Sequence, residues 1–166
     1  MKDNVAEFAI DLSRKDCCYT PGDTLHGRLH LKLSEGSIDI TSLKITLLGL
    51  GRVNMKGKKS LIYMRKEWTI VSSPTSVYEQ ERNYDFEDSL PECIPSSFYS
   101  SKGHVQYSII AVLEYKNNGQ DFNGEFADCL RNVFFVFIQL EPINHEFCLA
   151  DCSITMGPTA MKIPID

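Results

Sequence analysis

The sequence predicts an all-β fold, an antiparallel sandwich of two sheets. Three observations carry that expectation. Apolar and polar residues alternate with period two in several segments, which places one set of side chains on a single face of an extended chain. Turn-forming residues separate those segments. No long stretch repeats apolar residues at the 3.6 spacing of an amphipathic helix.

The first strand is read over Ala6, Phe8, Ile10 and Leu12, alternating with Glu7, Ala9 and Asp11. The second follows Leu25, Gly27, Leu29, Leu31 and Leu33, alternating with His26, Arg28, His30 and Lys32. Between them, Thr20-Pro21-Gly22-Asp23 spells a type II turn, with Pro21 fixing φ at the second position and Gly22 supplying positive φ at the third. Leu43, Ile45 and Leu47 alternate with Lys44 and Thr46. Lys56-Gly57-Lys58-Lys59 reads as a loop tip. Leu90 to Phe98 carries Pro91 and Pro95, neither of which can donate to a ladder, so it reads as an ordered crossover with Phe98 anchored in the sandwich. Val105 to Tyr115 alternates again, and Asn117-Asn118-Gly119 signals a hairpin leading towards Phe122. Val133–Leu140 is apolar on both faces, as in a strand covered on both sides. After Leu140 the period is lost, so residues 1–140 are expected to form one domain. Residues 141–166 are then a linker or the start of an incomplete second domain.

A chain of 166 residues can bury about two-thirds of its unfolded surface and needs no staples. Its 43% hydrophobic and 23% charged residues exclude a disordered tail, a collagen-like rod and a coiled coil. The net charge of −5 argues against nucleic acid as a partner. The longest apolar run, Val133 to Ile138, is far shorter than the ~20 residues of a membrane-spanning helix. The N-terminus lacks a secretory signal. A soluble, non-secreted protein is expected, and its cysteines at 17, 18, 93, 129, 148 and 152 are then expected as reduced thiols.

Sites of chemistry are sought next. His145, Cys148 and Cys152 would share a helical face, but a fourth zinc ligand is missing; two half-buried thiols and a surface histidine are the better reading, and no metal or cofactor is expected. Gly-x-Ser-x-Gly is absent. His26 and His30 lie four residues apart on a strand, about 13 Å, too far to share chemistry; they read as solvated strand positions. Gly49-Leu50-Gly51 follows a strand but has Asn at position 54, so it is no dinucleotide loop. Gly49 more naturally admits a bulge or a close approach. Glu79/Glu81 and Asp85/Glu87/Asp88 read as a solvated face. No catalytic residue is expected, and an enzyme is not.

One charge pattern stands apart. Arg52, Lys56, Lys58, Lys59, Arg65 and Lys66 bring six cations and no acid into one hairpin, leaving 11 cations against 22 acids elsewhere. Such a cluster can hold phosphate on lipids or on phosphorylated tails, although a solvated, solubilising hairpin is the simpler reading.

Two blocks of sequence resemble a known family. The first is Tyr19-Thr20-Pro21-Gly22-Asp23-Thr24-Leu25-His26-Gly27, with Leu29-His30-Leu31 and Ile40 to Gly49. The second is Tyr84 to Pro91, Ile94-Pro95-Ser96-Ser97-Phe98, Gly103 to Tyr107 and Ile109 to Leu113. Together, over residues 5 to 140, they resemble an arrestin N-terminal domain, most of all that of the α-arrestins, the arrestin-domain-containing proteins. The resemblance implies an immunoglobulin-like β-sandwich and a non-catalytic, cytoplasmic adaptor. It would bind cytoplasmic tails of membrane proteins, at the plasma membrane or endosomes, and serve their endocytic sorting, with peripheral membrane contact as a further implied property. Ubiquitin ligases would be recruited by Pro-Pro-x-Tyr, which this sequence lacks, so that partner would need a region beyond the first sandwich. The paired N-terminal lysines of visual and β-arrestins are not reproduced by Lys2, Arg14 and Lys15. Two related readings stay open: a retromer-type coat subunit, and a thioredoxin-binding redox regulator, for which six cysteines are the supporting feature.

Overall fold

The computed structural model describes residues 4–54, 56–78, 80–117, 128–139 and 153–155. Among them run eleven strands and no helix. They are β1 (Val5–Leu12), β2 (Cys18–Tyr19), β3 (Thr24–Leu33), β4 (Ile38–Val53), β5 (Lys59–Val71), β6 (Thr75–Val77), β7 (Glu81–Ser89), β8 (Phe98–Ser100), β9 (Gly103–Asn117), β10 (Asp128–Ile138) and β11 (Ser153–Thr155). One sheet has the order β1-β3-β7. The second has a main path β11-β10-β9-β4-β5, with β2 on β10, β6 on β4 and β8 on β9. All pairs are antiparallel except β2 with β10.

The expected all-β sandwich is the fold observed. Its core is the set of inward residues of both sheets. Phe8, Ile10 and Leu12 of β1 and Leu25, Leu29, Leu31 and Leu33 of β3 join Ile38, Ile40, Leu43, Ile45 and Leu47 of β4. Ile109, Leu113 and Tyr115 of β9 and Phe134, Val136 and Ile138 of β10 complete it. Each fully buried Leu or Ile contributes roughly 1.5–3 kcal/mol relative to exposure. β4 keeps its apolar face inward past Thr41 because a bulge between Ile40 and Ser42 resets the alternation against β9. A second shift lies at Gly49/Leu50 against β5, where Tyr63 is the extra residue, and Gly49 also admits the close approach of Tyr107 and Met64.

The turn before β3 forms as its residues dictate. Gly22 has φ of 87°, and Asp23 N donates to Thr20 O at 3.0 Å. Asp23 then binds three segments together. Its Oδ2 accepts from Thr20 N at 2.9 Å and from Arg14 Nη1 at 2.7 Å, and its carbonyl accepts from Leu90 N at 2.8 Å. Gly27 has a different necessity. A Cβ there would lie 2.3 Å from Phe86 Cζ, because the Phe86 ring lies across the glycine on the inner face of the three-stranded sheet.

The 90–97 crossover is ordered without strand pairing. Leu90 and Ile94 are buried, Tyr107 Oη donates to Pro95 O at 2.6 Å, and Ile138 N donates to Ser97 Oγ at 2.9 Å. Phe98, however, is not an anchor: it is 57% exposed. It sits on β8 opposite Val105, where burial of the sheet's inner face is already fading.

The expectation of reduced thiols needs one correction. Cys17, Cys93 and Cys129 are thiols, but Cys18 is disulfide-bonded. His145, Cys148 and Cys152, the Asn118-Gly119 turn and the boundary expected near 141 lie outside the described residues.

Candidate functional site

β4 and β9 have 16 and 15 residues, against 8 to 10 in the strands of the three-stranded sheet. The excess length is spent at one end, where β5, β4, β9 and β8 lie side by side with little across from them. Leu61, Gly51, Val105 and Phe98 face one another in a single cross-strand row, so their side chains share the inner face. At the middle of β4 and β9 that face is sealed. In this row Leu61 is 58% and Phe98 57% exposed. Tyr63 joins them; its ring lies 2.7 Å from the position of a Gly51 Cβ. Ile62 and Tyr99 are exposed on the opposite face, in register with Leu50 and with His104 and Arg52. Tyr99 stacks on His104, with ring centroids 5.7 Å apart.

The six cations singled out in the sequence divide into two groups. Lys66 lies opposite Leu47 and turns towards the other sheet, where its Nζ meets Asp88 Oδ1 at 2.8 Å and Ser89 O at 2.7 Å. It ties β5 to β7. Arg65 reaches Glu67 at 3.6 Å, on the carboxylate that Lys44 also approaches at 3.5 Å. Arg52, Lys56, Lys58 and Lys59 are exposed and make no ion pair among the described residues. The fold adds a cation that the charge pattern missed. Asn54 N donates to Lys102 O at 2.8 Å, which sets the β8–β9 turn beside the β4–β5 turn. Neither residues 49–66 nor residues 95–113 contain an Asp or Glu. The two acid-free stretches are therefore neighbours in the sheet.

Tyr107 supports this end from beneath. Its ring lies against Gly49, its hydroxyl holds Pro95, and burial pushes its pKa up to about 12. The neutral phenol, the form that donates to a carbonyl, is thereby favoured.

The outer face of the three-stranded sheet has a contrasting character. A shallow concavity of about 700 Å³ there is lined by Asp11, Lys15, His26, Arg28, His30 and Asp85, among others. Its charges answer one another: across the strands His26 with Glu87 at 2.9 Å and Arg28 with Asp85 at 2.6 Å, and within one segment Lys15 with Asp11 at 2.8 Å. His30 Nδ1 lies 2.7 Å from Asn83 Oδ1. Arg28 holds the Asp85 carboxyl below the usual carboxylate range. His26 and His30 are thus solvated strand positions with cross-strand partners, and no nucleophile is paired with a base here.

Comparisons with known proteins agree with this architecture. The family model "Arrestin (or S-antigen), N-terminal domain" matches residues 8–141. The chain is 23% identical over 141 residues to Arrestin domain-containing protein 1 of Rattus norvegicus, and equally to that of Mus musculus. The alignments cover 82% of this chain and 30% of each relative, so the chain spans under a third of the length of these curated relatives. Among solved structures, Spo0M, a sporulation control protein from Bacillus subtilis, superposes with a TM-score of 0.56 at 19% identity. That superposition covers 83% of this chain and 51% of the other, a likeness of fold alone. By sequence pattern, sheet topology and family match together, the chain belongs to the arrestin family.

Proposed function

We propose that this chain is a non-catalytic, protein-binding adaptor domain in intracellular trafficking. It acts in the cytoplasm, at the plasma membrane or endosomes, where it takes hold of cytoplasmic tails of membrane proteins and serves their endocytic sorting. One sandwich over residues 1–140 carries the binding, with 141–166 as a linker or the opening of a second domain. The observation that carries this reading is the match of residues 8–141 to the arrestin N-terminal domain. The geometry is compatible with it. β1 has a strand partner on only one side among the described residues, and an extended peptide can add to such an edge, with ladder hydrogen bonds supplying affinity. Arg52, Lys56, Lys58 and Lys59, which make no ion pair among the described residues, would take phosphate on the tail. Arg65 and Lys66, engaged by Glu67 and Asp88, would contribute less. Capture of plain and phosphorylated tail peptides on immobilised chain tests the reading. Retention of tails, weakened by Lys56→Glu/Lys58→Glu/Lys59→Glu, supports it. Retention unchanged by the triple reversal removes the hairpin from the site, and no retention of any tail overturns the adaptor reading.

A further inference from the structure

We propose that Ser60 is a phosphorylation site for a serine/threonine kinase that reads basic sequences, and that its phosphate, held by Arg52, switches off the cations of the β4–β5 hairpin. The modification does not depend on the adaptor reading; its effect on tail capture rests on that reading. The sequence marks the position first. Lys56, Lys58 and Lys59 are three of the four residues before Ser60, and Leu61 and Ile62 follow it. No other Ser or Thr of the chain has three cations in that window. Kinases of this class select substrates by charge pattern, their acidic pockets pairing with cations on the N-terminal side of the acceptor. Those cations are available here. Residues 49–66 contain no Asp or Glu, and Lys56, Lys58 and Lys59 make no ion pair among the described residues.

The fold makes the position reachable. Ser60 is exposed near the start of β5, and β5 has a strand partner on only one side among the described residues. Lifting Lys59 to Ile62 off β4 into an enzyme cleft gives up little burial, because Leu61 and Ile62 are already exposed; strand ends with few buried contacts open at small cost. Thr69 is the internal contrast. Arg65 and Lys66 precede it, but Glu67 and Asp88 engage them, and its neighbours Trp68 and Ile70 pack against the core. In the transfer, the Ser60 hydroxyl oxygen bonds to the γ-phosphorus of Mg²⁺-bound ATP. The bond from that phosphorus to the β–γ bridging oxygen breaks, ADP leaves with the electron pair, and the hydroxyl proton passes to the kinase's catalytic carboxylate. The phosphate then stands beside a ready partner. Ser60 lies opposite Arg52, and Arg52 opposite His104, in one cross-strand row, where facing side chains are about 5 Å apart at Cβ. Arg–phosphate pairs are charge-assisted and often bidentate. Arg52, Lys56, Lys58 and Lys59 carry four positive charges; a phosphate of about −2 cancels half of them and occupies the guanidinium that a tail phosphate would meet.

Kinase labelling gives the test. The 166-residue chain is incubated with Mg²⁺-ATP and either the catalytic subunit of cAMP-dependent protein kinase or the catalytic fragment of protein kinase C. One phosphate, mapped by peptide mass spectrometry to Ser60, is expected, with Thr69 unmodified. Ser60→Ala should remove the label. Lys56→Gln/Lys58→Gln/Lys59→Gln should lower kcat/KM of the kinase on the order of 10-fold, the sum of three exposed ion pairs. All four positions are exposed, and circular dichroism checks that each variant stays folded. No label on Ser60 with either kinase, or a label that prefers Thr69, overturns the site. Phosphorus-31 NMR then reads the partner. A neighbouring guanidinium favours the dianion, so the phosphate should titrate at lower pH in the parent than in phosphorylated Arg52→Gln; equal titrations overturn the pairing. Capture of phosphorylated tail peptide should fall on the order of 10-fold once Ser60 is phosphorylated, the loss of one charge-assisted contact. Capture unchanged by the modification overturns the switch and leaves the adaptor reading standing. Labelling of Ser60 in a chain that captures no tail supports the site and overturns the adaptor reading instead.

Discussion

Two stretches of the same strand show how differently one pattern can be used. Ile45, in the middle of β4, lies opposite Ala111 and Trp68 and is fully buried beneath the three-stranded sheet. Eight residues further on, Val53 continues the same alternation on the same face and is half exposed. Sequence periodicity is equal at both places. What differs is the length of the opposite sheet, which stops short. The covered stretch makes a core; the bare one leaves apolar side chains ringed by cations, and function is expected there because nothing in the fold requires their exposure.

The sharpest way to test that contrast is truncation on each side of it. Ile45→Ala should destabilise by about 2–5 kcal/mol, the cost of a cavity in a sealed core, whereas Leu61→Ala should fall within about 0.5 kcal/mol of the parent. Urea unfolding with a common slope measures both. Comparable losses at the two sites would mean that the projecting end is packed in solution. A smaller effect, within the covered region, is expected from Gly27→Ala. The added methyl meets the Phe86 ring, and overpacking of this kind costs about 1–3 kcal/mol. Adding Phe86→Leu should restore part of that loss. If Gly27→Ala is neutral alone, the ring moves aside freely and the close approach is not what demands glycine.

The same contrast explains how much was legible in the sequence. The segments around Phe8, Leu29, Ile45 and Ile109 were readable as strands because each carries its own period-two signal. The turn at Thr20–Asp23 was readable because Pro21 and Gly22 leave the backbone few alternatives. Phe98 was not. An aromatic that follows two prolines looks like an anchor, and only the register of β8 against the far end of β9 puts it in solvent. Lys66 carried the same charge signal as Lys58 and Lys59, yet strand parity and the bulge at Gly49 turn it towards Asp88. Lys102 is a lone lysine in its own segment, so only the pairing of β4 with β9 could bring it to the site. Local chemistry was visible; coverage, which depends on the relative lengths of two sheets, was not.

A loss at the low end of the range for Gly27→Ala is expected at Asp23, where a family motif residue has a structural reason independent of any partner. Its carboxyl is held below the usual carboxylate range, first by the Thr20 backbone N–H and then by Arg14. A depressed folded-state pKa means that the unfolded chain binds the proton more readily. The stabilisation is therefore complete above about pH 4, the pKa of an unperturbed Asp, and is lost as pH falls through the lower folded value. Asp23→Asn keeps an acceptor for Thr20 but no charge for Arg14, so it should cost about 1 kcal/mol at neutral pH. The variant has no proton to take up, so the gap from the parent should narrow as pH drops below 4. Thermal unfolding at pH 7, 4 and 2.5 reads this directly. A constant gap across those values would show that the ionised carboxylate is not what holds the turn. The fixed entry of β3, and with it the close approach of Gly27 to Phe86, would then rest on the proline and glycine of the turn alone.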